Sequence, residues 1–399
     1  MRRVGWSLVT VIGFSLSTAS AATHDDAASA CADRDPDIAI IACSALIESG
    51  GEAPGELSRD FNNRGGAYSA KGDYDSAILD LDQSIKLDSE NAGAYINRGN
   101  SYGAKRQYER ALDDYGQALR IHPQDSGAYG ARGNLYERIG QPDRALADYN
   151  QAVTLNGDNI SALISRGAYY RARGDFVHAM ADFDSAVMLR PDFSPAFDNR
   201  GFAYAIQNQT DRALEDYNQA VKLNPHSLTA LYHRGLAYAV KGEPDRAILD
   251  FSRALELAPT NSYLFVSRGD AYQDSHDYDH AILDYDTALA LNSDNAGAFA
   301  NRGTAFAVLG DYRRAVADYD QALKLDPKLT EIVLNRAVAN ARSGNYDRAL
   351  PDFDQAISAN PNNAFALFSR GIAKKALGDA AGADADIAKA KSIQPDIDR

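Results

Sequence analysis

The chain has 399 residues, 55 acidic against 41 basic side chains, and a formal charge of −14. A chain this acidic excludes nucleic acid as the expected partner, because phosphates demand a basic face. Length alone leaves open two or three ordinary domains or one long array, and periodicity has to choose between them.

At the N-terminus Arg2 and Arg3 precede an apolar run from Val4 to Leu16, which leads to Ala19-Ser20-Ala21. That is the layout of a signal peptide over residues 1–21, cleaved after Ala21 or Ala22. Lipid attachment at Cys31 fits less well, since the acidic stretch His24-Asp25-Asp26 separates it from the apolar run. No later segment approaches the roughly 18 to 20 apolar residues of a membrane span. The mature chain is therefore expected in the periplasm or outside the cell, without membrane insertion.

Residues 22–57 read as an N-terminal cap, in which Asp37 to Ser49 has the pattern of a lone helix covering whatever follows. Cys31 and Cys43 are the only cysteines. An even count in an exported chain predicts one disulfide, which would staple the start of the cap to that helix.

From Ser58 onward a single period governs the chain. An arginine recurs every 34 residues from Arg64 to Arg370, followed each time by glycine, or by alanine at Ala337. Twelve residues after that small residue comes an unbroken alanine column, from Ala77 to Ala383. Each period holds two apolar stretches of helical spacing separated by a turn signal, which predicts a helical hairpin. Gly72, Gly140, Gly174 and Gly242 suit the left-handed position that ends a first helix. Prolines such as Pro123, Pro225 and Pro327 close the period, where no helix can continue. The ten periods are 58–91, 92–125, 126–159, 160–193, 194–227, 228–261, 262–295, 296–329, 330–363 and 364–397.

These small, aromatic and proline columns resemble the tetratricopeptide repeat family over Ser58 to Ile397. The resemblance implies an all-α fold: a right-handed α-solenoid of ten 34-residue helix-turn-helix repeats with an N-terminal capping helix. It also implies that the first helices line a concave groove. An aspartate column from Asp80 to Asp386 matches the arginines one for one and predicts ten ion pairs. At the far end Lys374, Asp384 and Lys391 replace apolar columns, as a terminal repeat needs.

Little of the chain lies outside the repeats, so no separate catalytic domain is expected. His276 and His280 stand four apart with carboxylates between them, as metal ligands often do. His276, however, falls in the turn column and His280 in a column of exposed arginines, so neither a metal nor a cofactor is expected.

By the same resemblance the groove is lined by the second, fifth, ninth, twelfth and thirteenth residues of each repeat. Their charges nearly cancel: Arg59, Arg138, Arg171, Arg342 and Lys375 against Glu137, Asp198, Asp270, Asp274 and Glu331. Two apolar patches remain. One comprises Phe202, Ile206, Tyr232, Leu236 and Val240; the other Leu334, Val338, Phe365, Phe368 and Ile372. Asn97, Asn199, Asn301 and Asn335 add amides that could bond an extended peptide backbone or serve helix packing. No lysine or arginine occupies the fifth or sixth columns, so the clamp that chaperone-binding members place on a partner's C-terminal carboxylate is missing. The expectation is a non-catalytic scaffold of the bacterial cell envelope, monomeric alone, that holds a segment of another protein. Two rivals are a self-associating array without a client and an envelope hydrolase with an unrecognised site.

Overall fold

The computed structural model of the protein describes residues 24–398, and the leader predicted over residues 1–21, with cleavage after Ala21 or Ala22, lies outside them. Every regular element among the described residues is α-helix. They form two compact units, divided in sequence between Leu189 and Arg190.

The first unit opens with α1 (His24–Cys31) and α2 (Pro36–Ser49). Four hairpins follow: α3 (Pro54–Ala70) with α4 (Tyr74–Leu87), α5 (Ala92–Ala104) with α6 (Tyr108–Ile121), α7 (Ser126–Arg138) with α8 (Pro142–Leu155), and α9 (Ile160–Ala172) with α10 (Phe176–Leu189). The cap thus has two helices where the sequence predicted one. α2 carries start and stop signals: the Asp35 side chain accepts from the Asp37 amide, Pro36 follows it, and Gly50 ends the helix at φ 70°. α1, His-Asp-Asp-Ala-Ala-Ser-Ala-Cys, has no apolar period to reveal it. It is held from outside, by the Cys31–Cys43 disulfide and by a small core of Cys31, Cys43 and Leu46 against Ala27 and Ala28.

The second unit consists of six hairpins: α11 (Ser194–Ile206) with α12 (Thr210–Leu223), α13 (Leu228–Val240) with α14 (Pro244–Leu257), α15 (Ser262–Asp274) with α16 (Tyr278–Leu291), α17 (Ala296–Val308) with α18 (Tyr312–Leu325), α19 (Thr330–Arg342) with α20 (Tyr346–Ala359), and α21 (Ala364–Ala376) with α22 (Ala380–Ile393). Within each unit every first helix packs on its own partner and, where the unit continues, on the preceding second helix and the next first helix. This is a solenoid-like helical repeat fold.

Three columns explain why each period folds alike. The turn residue has positive φ in all ten hairpins: glycine in seven, and Arg106 (60°), Asn208 (58°) and His276 (64°) in the others. In seven repeats the glycine after the arginine faces a ring of the second helix, and in the first and last repeats it faces Leu81 and Ile387. A Cβ built on Gly133 would lie 2.7 Å from Tyr149 Cε1, so glycine lets that ring approach the backbone. Finally, each column arginine donates through Nε and Nη2 to both carboxylate oxygens of the aspartate sixteen residues on, as Arg234 does to Asp250 at 2.7 Å twice. The third nitrogen, Nη1, reaches back to the preceding hairpin in several repeats: Arg98 to Asp82, Arg234 to Asn218, Arg268 to Ser252. One planar fork therefore ties three helices together and fixes their register. All ten predicted pairs are present, and all ten aspartates are buried.

Candidate functional site

The register set by the arginine forks decides which side chains of a first helix are left over. On α11 to α21 the arginine, the small residue after it and the alanines of the crossing are committed to packing, and the five groove columns provide most of the remaining surface. Chemistry on that surface begins with what the fold has not used.

The first predicted patch is partly consumed by packing. Phe202 stacks on His233 at 4.8 Å between centroids and 5° between planes, and His233 Nδ1 lies 2.8 Å from Asp198 Oδ1. Tyr232 leans on Phe251 at 6.0 Å. Ile206 (47%), Leu236 (38%) and Val240 (77%) stay exposed. In the second patch Leu334 and Val338 pack against the core of Ala337, Ala349, Phe353 and Ala373. Phe368 is half-buried, while Phe365 (49%) and Ile372 stand in solvent.

The predicted amides divide in the same way. Asn97 donates to Asn62 Oδ1 at 3.0 Å, Asn199 to the Pro195 carbonyl at 2.9 Å, and Asn301 to Asp270 Oδ1 at 2.7 Å. Tyr285 also donates to that oxygen at 2.7 Å, yet burial holds the Asp270 carboxyl above the usual carboxylate range. Asn335 alone of the four is exposed and, among the described residues, unengaged.

The histidine pair takes structural roles. His276 occupies the left-handed turn. His280 replaces an arginine that elsewhere lies over the aromatic residue four after the column arginine, as Arg314 lies 4.2 Å from the Phe306 centroid. It stacks on Tyr272 at 5.2 Å and bonds the helix-capping Asp277 at 2.7 Å. His178 repeats this arrangement with Tyr170 and Asp175. Among the described residues no group of three or more His, Cys, Asp or Glu side chains could hold a metal ion.

Two exposed apolar residues were missed in the sequence: Tyr263 on α15 and Val308 on α17. They occupy the second and thirteenth columns of their repeats, so position would have found them; neither belongs to a sequence-local apolar cluster. Val308 matters because it lines a cleft of about 320 Å³ in the second unit, with Val338, Phe365, Asn335, Arg342 and Tyr312. Three first helices and α18 build it. The Tyr319 hydroxyl at its base is occupied by Thr304 at 3.3 Å.

Comparison with known structures agrees with the fold. The chain is similar to the human IFIT1 dimer with m7Gppp-AAAA at 16% identity and a TM-score of 0.53, covering 90% of this chain and 86% of that one. It is also similar to the APC/C hetero-tetramer Cut9-Hcn1, at 14% identity and a TM-score of 0.47, covering 92% of each chain. A tetratricopeptide repeat protein from Parabacteroides merdae aligns at 21% identity and a TM-score of 0.47, over 62% of this chain and 98% of its own. No curated protein matches. Models described as tetratricopeptide repeat match residues 203–262, 266–330, 301–364 and 334–396, as well as 92–125 and 115–147, and a model described as TPR repeat matches 65–106. These spans cover well over half of the sequence and carry the same arginine, small-residue and turn columns that build the hairpins, so the chain belongs to the tetratricopeptide repeat family.

Proposed function

We propose that the protein is a non-catalytic scaffold of the bacterial cell envelope that holds a segment of another protein against the first helices of its second unit. Tetratricopeptide repeats generally mediate contacts between proteins, which supports the coarse part of this reading. One observation carries the finer part. Every exposed large apolar side chain at a groove position lies on α11 to α21: Ile206, Leu236, Val240, Tyr263, Val308, Phe365 and Ile372. At the same columns of the first unit Ile96 and Ile164 are half-buried and the rest are small or polar. Exposed apolar residues gathered on one face are what a binding surface needs. The leader-like N-terminus, with Arg2, Arg3 and the run to Leu16, supports export, and the −14 charge argues against a polyanionic ligand.

The test is photocrosslinking in cells from Val240, Tyr263 and Phe365, with Leu79 on the outer α4 surface as control. A partner protein should attach to the first three and be lost when Leu236, Tyr263 and Phe365 are together replaced by Asp, with helicity unchanged. Attachment that survives the triple substitution refutes the face assignment. Mass spectrometry of the purified protein checks export, since the mature chain should begin at Ala22 or Thr23.

Self-association is a second reading, favoured by Ile38 and Ile41, which α2 leaves exposed at the capped end. Sedimentation equilibrium decides it: the scaffold is a monomer without its partner, and the array is not.

A further inference from the structure

The cleft between α17, α19 and α21 contains polar groups that the fold does not use. Each column arginine is spent on two carboxylate oxygens, yet Arg342, at the end of α19, has no hydrogen bond or ion pair among the described residues. The Asn335 amide is unengaged as well, and Val308, Val338 and Phe365 supply an apolar floor beside it. An uncompensated cation next to apolar side chains in one cleft, in a chain of net charge −14, complements a segment that is itself acidic and apolar.

Resting on the face assignment above, we infer that this cleft takes an internal segment of a partner in which an Asp or Glu lies close to a large apolar residue. The carboxylate pairs with the Arg342 fork, and the apolar side chain sits among Val308, Val338 and Phe365. Asn335 and Arg342 are seven residues apart on one helix, about 10 Å along its axis. Two such groups two turns apart on α19 offer a bound segment two anchors: the guanidinium takes the carboxylate, and the amide takes a peptide bond of a segment that runs on through the cleft. An internal segment is favoured over a chain end because the fifth and sixth columns supply no lysine or arginine to gather around a terminal carboxylate.

The experiment selects binders of the purified chain from two random dodecapeptide phage libraries, one fused to the coat protein through the peptide C-terminus and one displaying a free C-terminus. The C-terminally fused library should yield peptides with Asp or Glu within about three residues of Leu, Ile, Phe or Trp. Arg342→Glu should weaken these peptides by at least about tenfold, as expected for loss of a charge-assisted hydrogen bond. Selection on that variant should shift to Lys and Arg. Arg342 is exposed and unbonded, so unchanged circular dichroism is expected and separates binding from folding. Phe365→Asp should abolish binding. If Phe365→Asp abolishes binding and Arg342→Glu does not, the face assignment stands and this inference falls. If neither variant matters, both fall. Enrichment from the free-C-terminus library alone, or no enrichment from either, overturns the inference.

Discussion

Replacing Arg234 by Met tests whether the arginine forks hold the repeats in place. Asp250, its partner, is 1% exposed and accepts two bonds of 2.7 Å from the guanidinium. Removing one member of a buried pair leaves a desolvated charge, a loss of about 3 to 5 kcal/mol, against at most about 1 kcal/mol for an exposed pair. Fork and aspartate together are replaceable by apolar groups of similar volume at little net cost. Arg234→Met should therefore be far worse than Arg234→Met with Asp250→Leu. Repeat arrays lose local stability before they unfold as a whole, so the assay is native-state hydrogen exchange of the α13 and α14 amides. A loss of about 3 kcal/mol speeds exchange more than a hundredfold. Arg234→Lys should fall between, since it keeps the charge and loses the fork. The reasoning is refuted if the single substitution costs under about 1 kcal/mol, or if the double substitution costs as much as the single one.

Three further outcomes are expected. His276→Gly and Arg106→Gly should each raise stability by about 1 kcal/mol in urea unfolding, because both residues sit at φ near 60° where a side chain is strained, and Asn208→Gly should gain less. Burial pushes the Tyr115 hydroxyl up to about 12, so above pH 10 the unfolded chain releases a proton that the folded chain keeps. The stability this contributes is fully present below pH 10 and declines by about 2 to 3 kcal/mol as pH rises to 12, and Tyr115→Phe should flatten that decline in alkaline denaturation. Reducing the Cys31–Cys43 disulfide opens a loop with a sequence separation of 12 and removes about 3 kcal/mol from the cap. Exchange protection of α1 should vanish while that of α5 to α10 persists.

The sequence by itself determined the ten hairpins, their turns and their ion pairs, because one constraint repeated every 34 residues leaves the same columns each time. Ring against glycine, fork against carboxylate and a left-handed turn are local pairings within one hairpin, so the period displays them directly. Only the tertiary structure decided which groove residues remain available. Val338 shares the ninth column with the exposed Leu236 and Ile372 but is half-buried against the core of Ala337 and Phe353, Tyr232 of the fifth column leans on Phe251, and Asn97 and Asn301 are taken up by partners some 30 residues away. The helix α1 shows the same limit from the other side: eight residues without a periodic face become helical through a disulfide and the helix packed on them, and neither is written in the segment itself. Exposure depends on what a neighbouring repeat places across the gap, and a column read along one chain does not contain that.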